Sequence, residues 1–115
     1  LTVDIGVNVH AMWDAYTLAQ QQTVLAKLQG AGVTTIRVDV SWEGLQPTNG
    51  TSYDSYRVGK LDAMMDLVNS YGMSPLITLW LTPAWARGNT GTNVDPPTSM
   101  SSYATIATWA AARYT

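Results

Sequence analysis

The chain has no cysteine and no phenylalanine. Without cysteine, disulfides, thiolate chemistry and cysteine-ligated zinc are excluded. The one histidine, His10, cannot build a metal cluster of the usual kinds, so neither a metal nor a cofactor is expected. Charge is sparse and nearly balanced, with six Lys and Arg against eight Asp and Glu. No basic patch or run stands out, which argues against a nucleic-acid partner. Apolar runs fall well short of a membrane span, so no membrane partner is expected. No charged segment followed by an apolar one opens the chain, so no signal peptide is read from it. Lys27 and Lys60 lie on helical stretches rather than at strand ends, which gives no Schiff-base lysine. No nucleotide-type phosphate loop and no nucleophile elbow is present.

What the chain does have is indole and phenol: five Trp and six Tyr among 115 residues. Each combines a flat apolar face with a polar tip, which suits ligands that are both greasy and hydroxylated. The simpler role for any one of them is core packing. Asn49-Gly50-Thr51 fits a glycosylation sequon, a match so short that chance supplies it often.

Hydrophobic periodicity divides the chain into alternating strands and helices. Ile5 to His10 alternates, with Ile5, Val7 and Val9 on one face and Gly6, Asn8 and His10 on the other. Asp14 is placed to cap a following helix whose stripe is Leu18, Gln22, Leu25 and Leu28, and Gly30 and Gly32 stop it. Val33 to Val40 alternates again, Ile36, Val38 and Val40 against Thr35, Arg37 and Asp39. A long connection, Ser41 to about Tyr56, leads to a second helix from about Val58 to Tyr71 with Leu61, Met64, Met65 and Val68 on its apolar face. Pro75 to Leu81 is the third strand, with Ile77, Leu79 and Leu81 on one parity and Leu76, Thr78 and Trp80 on the other. A second long loop, about Thr82 to Thr98, precedes a third helix capped by Ser99 or Ser101 and carrying Tyr103, Ile106, Ala107 and Ala110. This order predicts an α/β fold: about three βα units with parallel strands, part of a (β/α)₈ TIM barrel, forming one domain over residues 1–115. The repeat of about 30 to 40 residues is close to one-eighth of a ~250-residue barrel.

A strand covered on both faces is apolar on both parities. Each of these is apolar on one only. The other parity carries Asn8 and His10, Arg37 and Asp39, Thr78 and Trp80, toward the C-terminal ends. In a barrel that parity faces the lumen and that end builds the active site. The long loops follow strands two and three, while the helix-to-strand turns are short, which marks the same end as the working one. Arg37 and Asp39, two apart on one face, can equally form a purely structural ion pair.

Three segments resemble glycoside hydrolases of clan A, especially families 39 and 5. They are Ile5-Gly6-Val7-Asn8-Val9-His10; Thr35-Ile36-Arg37-Val38-Asp39-Val40-Ser41-Trp42, followed by Gln46-Pro47, Gly50 and Tyr53-Asp54; and Leu79-Trp80-Leu81-Thr82-Pro83-Ala84-Trp85-Ala86. The final Ala111-Ala112-Arg113-Tyr114 is similar to the helix end that precedes strand four in such enzymes. The resemblance implies a retaining glycosidase acting on a poly- or oligosaccharide, secreted, with this chain as the N-terminal part of its barrel. It implies that Arg37 supports the nucleophilic carboxylate, that His10, with Asn8 beside it, lies near the sugar-binding floor, and that Trp80 and Trp85 are aromatic platforms. Asp39 and Trp42 fall at the mouth of strand two. The family's acid/base glutamate and its nucleophile follow strands four and seven, so the catalytic pair is expected outside this chain. The partners implied are a carbohydrate and the remainder of the barrel. Where relatives often have Glu before the proline of the second loop, this chain has Gln46.

Glu43 is the only glutamate. Glycoside hydrolysis needs two carboxyl groups, and Glu43 with Asp39 is a conceivable pair, but a loop carboxylate or a hydrogen-bond acceptor for substrate is the plainer role. A non-catalytic carbohydrate-binding or scaffold module would use the same aromatics. An unrelated barrel enzyme such as an aldolase or isomerase is disfavoured by the missing strand-end lysine and phosphate loop. Three units leave two open sheet edges, so self-association of the isolated chain is expected.

Overall fold

A computed structural model describes residues 3–114; Leu1 and Thr2, where the chain's opening was read, and Thr115 lie outside the described residues. Three strands, β1 (Gly6–Val9), β2 (Thr35–Ser41) and β3 (Ser74–Trp80), form one sheet in the order β1-β2-β3. Helix α1 (Leu18–Gly30) joins the first two and α3 (Ser55–Ser70) precedes the third; α4 (Met100–Arg113) follows. β1 pairs with β2 in parallel, with Asn8 opposite Arg37. The three parallel strands with their helices are the α/β arrangement predicted from alternation.

The chain gathers into two compact units. One takes the residues up to Asp39 together with Gly59–Thr78; the other takes Val40–Val58 and everything from Leu79 onward. In the first unit, Ile36 and Val38 of β2, Leu25 of α1, and Leu61, Met64, Met65 and Val68 of α3 are buried. On β2 the apolar parity is thus the covered one, while Arg37 on the other parity is exposed, as are Asn8 and His10; Ile5, read on the apolar parity of the first strand, precedes β1 and is 47% exposed. Burying each such aliphatic side chain is worth about 1.5–3 kcal/mol. Gly32 and Gly72 follow α1 and α3 with φ of 83° and 69°, the left-handed conformation that reverses a chain at a helix end and that glycine adopts without a Cβ penalty.

Several local expectations are corrected. The cap of α1 is Thr17, not Asp14: the Thr17 hydroxyl accepts from the Gln20 backbone N–H, and the Gln20 side chain accepts from the Thr17 N–H at 2.8 Å. This Thr-x-x-Gln box satisfies two orphan donors reciprocally, which a lone aspartate three residues earlier cannot do. The buried face of α1 carries Gln21 and Leu25 instead of Leu18 and Gln22. Gln21 is buried because its amide donates to the Ala11 carbonyl at 2.7 Å, so a polar residue holds a core position with its donor satisfied. Helix α3 begins three residues earlier than its apolar face suggests, at Ser55.

In the second unit the long connection after β2 contains a one-turn helix, α2 (Trp42–Leu45), capped by Ser41, whose Oγ accepts from the Gly44 N–H at 2.9 Å. The loop after β3 contains a 3₁₀ turn, Ala84–Arg87, closed by the left-handed Gly88. Ser99 rather than Ser101 precedes α4. Tyr53 stacks on Trp109 with ring centroids 4.5 Å apart, and burial pushes its phenol above the ordinary tyrosine range.

Thr17→Ala is expected to cost about 1 kcal/mol, read as a lower urea midpoint at unchanged slope.

Candidate functional site

The candidate residues fall into two clusters, one in each unit. In the first, strand pleating places Arg37 and Asp39 on the same side of β2. Arg37 is held from two directions: its Nε donates to Thr78 Oγ1 at 2.9 Å, and its outer nitrogen lies 3.1 Å from Asp39 Oδ1. The second contact is an ion pair without hydrogen-bond geometry, because Asp39 Oδ1, although shielded from solvent, accepts no hydrogen bond. Asp39 is 11% exposed in its side chain and its other oxygen lies 3.6 Å from His10 Nδ1. That distance is beyond a hydrogen bond and becomes a charge contact when His10 is protonated. The structure therefore brings His10, Arg37 and Asp39 together. Asn8 stands exposed on β1, opposite Arg37 in the strand register.

The second unit is organised around Gln46, which the sequence marked only as a departure from relatives that often have Glu there. Gln46 is only 1% exposed. Its side-chain oxygen accepts from Trp42 Nε1 at 2.9 Å, its side-chain nitrogen donates to the Gly50 carbonyl at 3.0 Å, and its own carbonyl accepts from Trp85 Nε1 at 2.7 Å. A glutamine can accept and donate from one side chain; an ionised glutamate can only accept. The departure Gln46 is thus matched to its surroundings.

The candidate aromatics separate accordingly. Trp42 is 1% exposed, with its ring edge-on to Trp85 at 5.7 Å and to Tyr103 at 5.6 Å. Trp85 is half-buried, and its ring approaches Gly50 so closely that a Cβ there would lie 3.0 Å from it. Trp80 is 44% exposed. Trp42 and Trp80, with Asn93, Pro96, Met100 and Tyr103 among the other residues, line a cavity of about 370 Å³, a volume within the range of small-molecule sites. Glu43 Oε2 accepts from Asn93 Nδ2 at 3.0 Å, and the Glu43 N–H donates to the Leu81 carbonyl at 2.8 Å. Leu81 has φ of 60°, left-handed and rare for leucine. It lies beyond the end of β3 rather than continuing the parity of Ile77 and Leu79. Nothing in a leucine signals that conformation.

Among the described residues, no group of three or more His, Cys, Asp or Glu is arranged to hold a metal ion, and no helix is long and apolar enough to cross a membrane.

The family model for Cellulase (glycosyl hydrolase family 5) matches residues 3–115. The chain belongs to glycosyl hydrolase family 5. No curated protein matches this family 5 chain, but solved structures do. It is similar to a family 39 glycoside hydrolase from the gut symbiont Bacteroides cellulosilyticus WH2, with 25% identity and a TM-score of 0.66 over 96% of this chain and 21% of that one. It shares its fold with the exo-beta-1,4-mannosidase Op5Man5 from Opitutaceae bacterium strain TAV5 (22% identity, TM-score 0.63, 84% of this chain and 17% of that one). A beta-glucosidase from Exiguobacterium marinum has the same fold at 19% identity and a TM-score of 0.53, over 64% of this chain and 17% of that one. The family 5 chain therefore spans about a fifth of the length of these structures.

Gln46→Glu tests the buried amide. Its carboxylate would face the Gly50 carbonyl, so burial and the lost donor raise its pKa in the folded state. Stability should match wild type most closely at low pH, where a protonated carboxyl can still donate. It should fall as pH rises from the unfolded glutamate pKa through the raised folded one, reaching a deficit of about 2 kcal/mol at neutrality. Thermal melts across pH 4 to 8 measure this, and a deficit that does not change with pH contradicts it.

Proposed function

We propose that this family 5 chain supplies the sugar-binding and nucleophile-supporting part of a secreted, polysaccharide-degrading retaining O-glycosyl hydrolase. In this reading the catalytic pair belongs to later strands of a longer polypeptide, which also completes the barrel. The observation that carries the reading is Arg37: an exposed guanidinium near the C-terminal end of a parallel strand, steadied by Thr78 and Asp39, in a chain of glycoside hydrolase family.

Retaining hydrolysis uses a nucleophilic carboxylate about 5–5.5 Å from a carboxylic acid that protonates the leaving oxygen. The nucleophile must be ionised and correctly turned. A guanidinium does both, lowering the carboxyl pKa by its charge and fixing its plane through a forked donor set. Arg37 has five N–H donors; Thr78 takes one and Asp39 neutralises another side of the group, leaving the rest for such a carboxylate. In the second unit, Trp80, which lines its cavity, and the half-buried Trp85 offer apolar ring faces to sugar C–H groups; in the first unit, Asn8, His10 and Asp39 offer polar contacts to hydroxyls. Trp42, buried and bonded to Gln46, bounds the cavity and holds its shape. Glu43, secured by Asn93, serves as a hydrogen-bond acceptor rather than as one of the catalytic pair.

In the longer polypeptide, Arg37→Ala is expected to lower kcat on cello- or manno-oligosaccharides by ~100-fold, while Glu43→Gln retains turnover. The purified 115-residue chain should release no reducing sugar. Turnover by it, or loss of activity in Glu43→Gln, overturns the assignment of roles. With β1 and β3 at the sheet edges, unpaired backbone groups invite strand addition, so sedimentation should show a mass that rises with concentration.

A further inference from the structure

Asn49-Gly50-Thr51 takes no part in the hydrolysis proposed above, yet three donors converge there on one oxygen. Asn49 Oδ1 accepts from the Thr51 N–H at 2.9 Å, from the Thr51 hydroxyl at 2.9 Å and from the Ser52 N–H at 2.8 Å. The bond to the Thr51 N–H closes a loop of atoms that contains both Asn49 Cγ and the Gly50 nitrogen, so the side chain is folded back over the peptide that follows it. The amide nitrogen, Nδ2, makes a longer contact, 3.4 Å to Thr48 Oγ1. Asn49, Thr51 and Ser52 are all exposed.

This is the only Asn–Gly step in the chain. Glycine has no Cβ, so nothing hinders its own nitrogen. A larger residue does not fit in its place: a Cβ on Gly50 would lie 3.0 Å from the Trp85 ring. Packing against Trp85 thus fixes at position 50 the residue that leaves Asn49 most open to attack.

We propose that Asn49 is a self-modification site, at which the Gly50 nitrogen displaces the side-chain amide. A solvent base takes the Gly50 N–H proton, and the nitrogen adds to Asn49 Cγ. Charge gathers on Oδ1, where the three donors already point, as preorganised donors stabilise the oxyanion of an acyl transfer. The Cγ–Nδ2 bond breaks, and Nδ2 takes up a proton and leaves as ammonia. Water then opens the resulting succinimide at either carbonyl. One opening gives aspartate. The other gives isoaspartate, whose main chain runs through Cβ and Cγ and is one atom longer. That longer product matters to the second unit. The Gln46 side chain, which accepts from Trp42 Nε1, also donates to the Gly50 carbonyl at 3.0 Å. An extra chain atom before Gly50 moves that carbonyl away, so the modification loosens the support of Trp42, which lines the cavity.

The test ages the 115-residue chain in oxygen-18 water at mildly alkaline pH, digests it and weighs the peptides. Oxygen-18 is expected at residue 49 and not at Asn8, Asn69, Asn89 or Asn93. Part of the product should accept a labelled methyl group from protein isoaspartyl methyltransferase. Thr51→Val removes one of the three donors at an exposed position and should slow the reaction about fivefold; Thr51→Ser should keep the wild-type rate. The isolated isoaspartyl form should melt below Asn49→Asp, which has the same charge without the extra chain atom. An unlabelled residue 49 overturns the site. So does a Thr51→Val chain that ages as fast as wild type or faster, because the donors would then guard the amide. Equal melting of the isoaspartyl form and Asn49→Asp overturns the loosened support of Trp42.

Discussion

The side-chain alternation of β2 is the constraint on which the rest depends. A strand can bury one face and expose the other only if its residues change character at every step. From Thr35 to Val40 they do: Ile36, Val38 and Val40 are withdrawn from water and Arg37 is not. A slip of one residue would drive a guanidinium and a carboxylate into the core, so the hydrophobic effect itself enforces the placement of the charged pair. Arg37 and Asp39 consequently share one side of the strand, where Thr78 and His10 also reach them.

The fold was legible because its signals are collective. Three alternating runs and three amphipathic ones tolerate individual errors. Misplacing the buried stripe of α1 by one residue changed nothing about the existence of the helix. The finer errors came from single residues whose roles are reciprocal. Thr17 caps because Gln20 answers it, and Gln21 is buried because the Ala11 carbonyl awaits a donor. Such pairings are invisible to a scan of one residue type at a time. The one-turn helix after Ser41 and the left-handed Leu81 escaped for a different reason: both lie where composition suggests only loop or strand, and the long-range bond from the Glu43 N–H to the Leu81 carbonyl ties the two together.

The candidate site was legible in its charged members and less so in its aromatics. Arg37, Asp39 and His10 could be grouped from strand parity, and the structure groups them. Indole has two lives, as a core block and as a ligand platform, and sequence cannot choose between them. Trp42 is buried, Trp85 is turned to the carbonyl of Gln46, and Trp80 remains open. Trp13, with more open surface than any of these, follows the first strand without belonging to the motif there. Its anchoring by a lysine 47 residues away is a long-range fact that no local pattern encodes.

The amide of Gln46 closes a small ring of chain by reaching the carbonyl of Gly50. Pro47, Thr48 and Asn49 bridge the gap, and Trp85 seals it from the side. A ring closed by one side chain has a fixed circumference. Insertions between Gln46 and Gly50 would release the glutamine and the two indoles that lean on it. An insertion elsewhere along the connection would leave this ring intact, so the stretch from Gln46 to Gly50 acts as a ruler of set length within the loop.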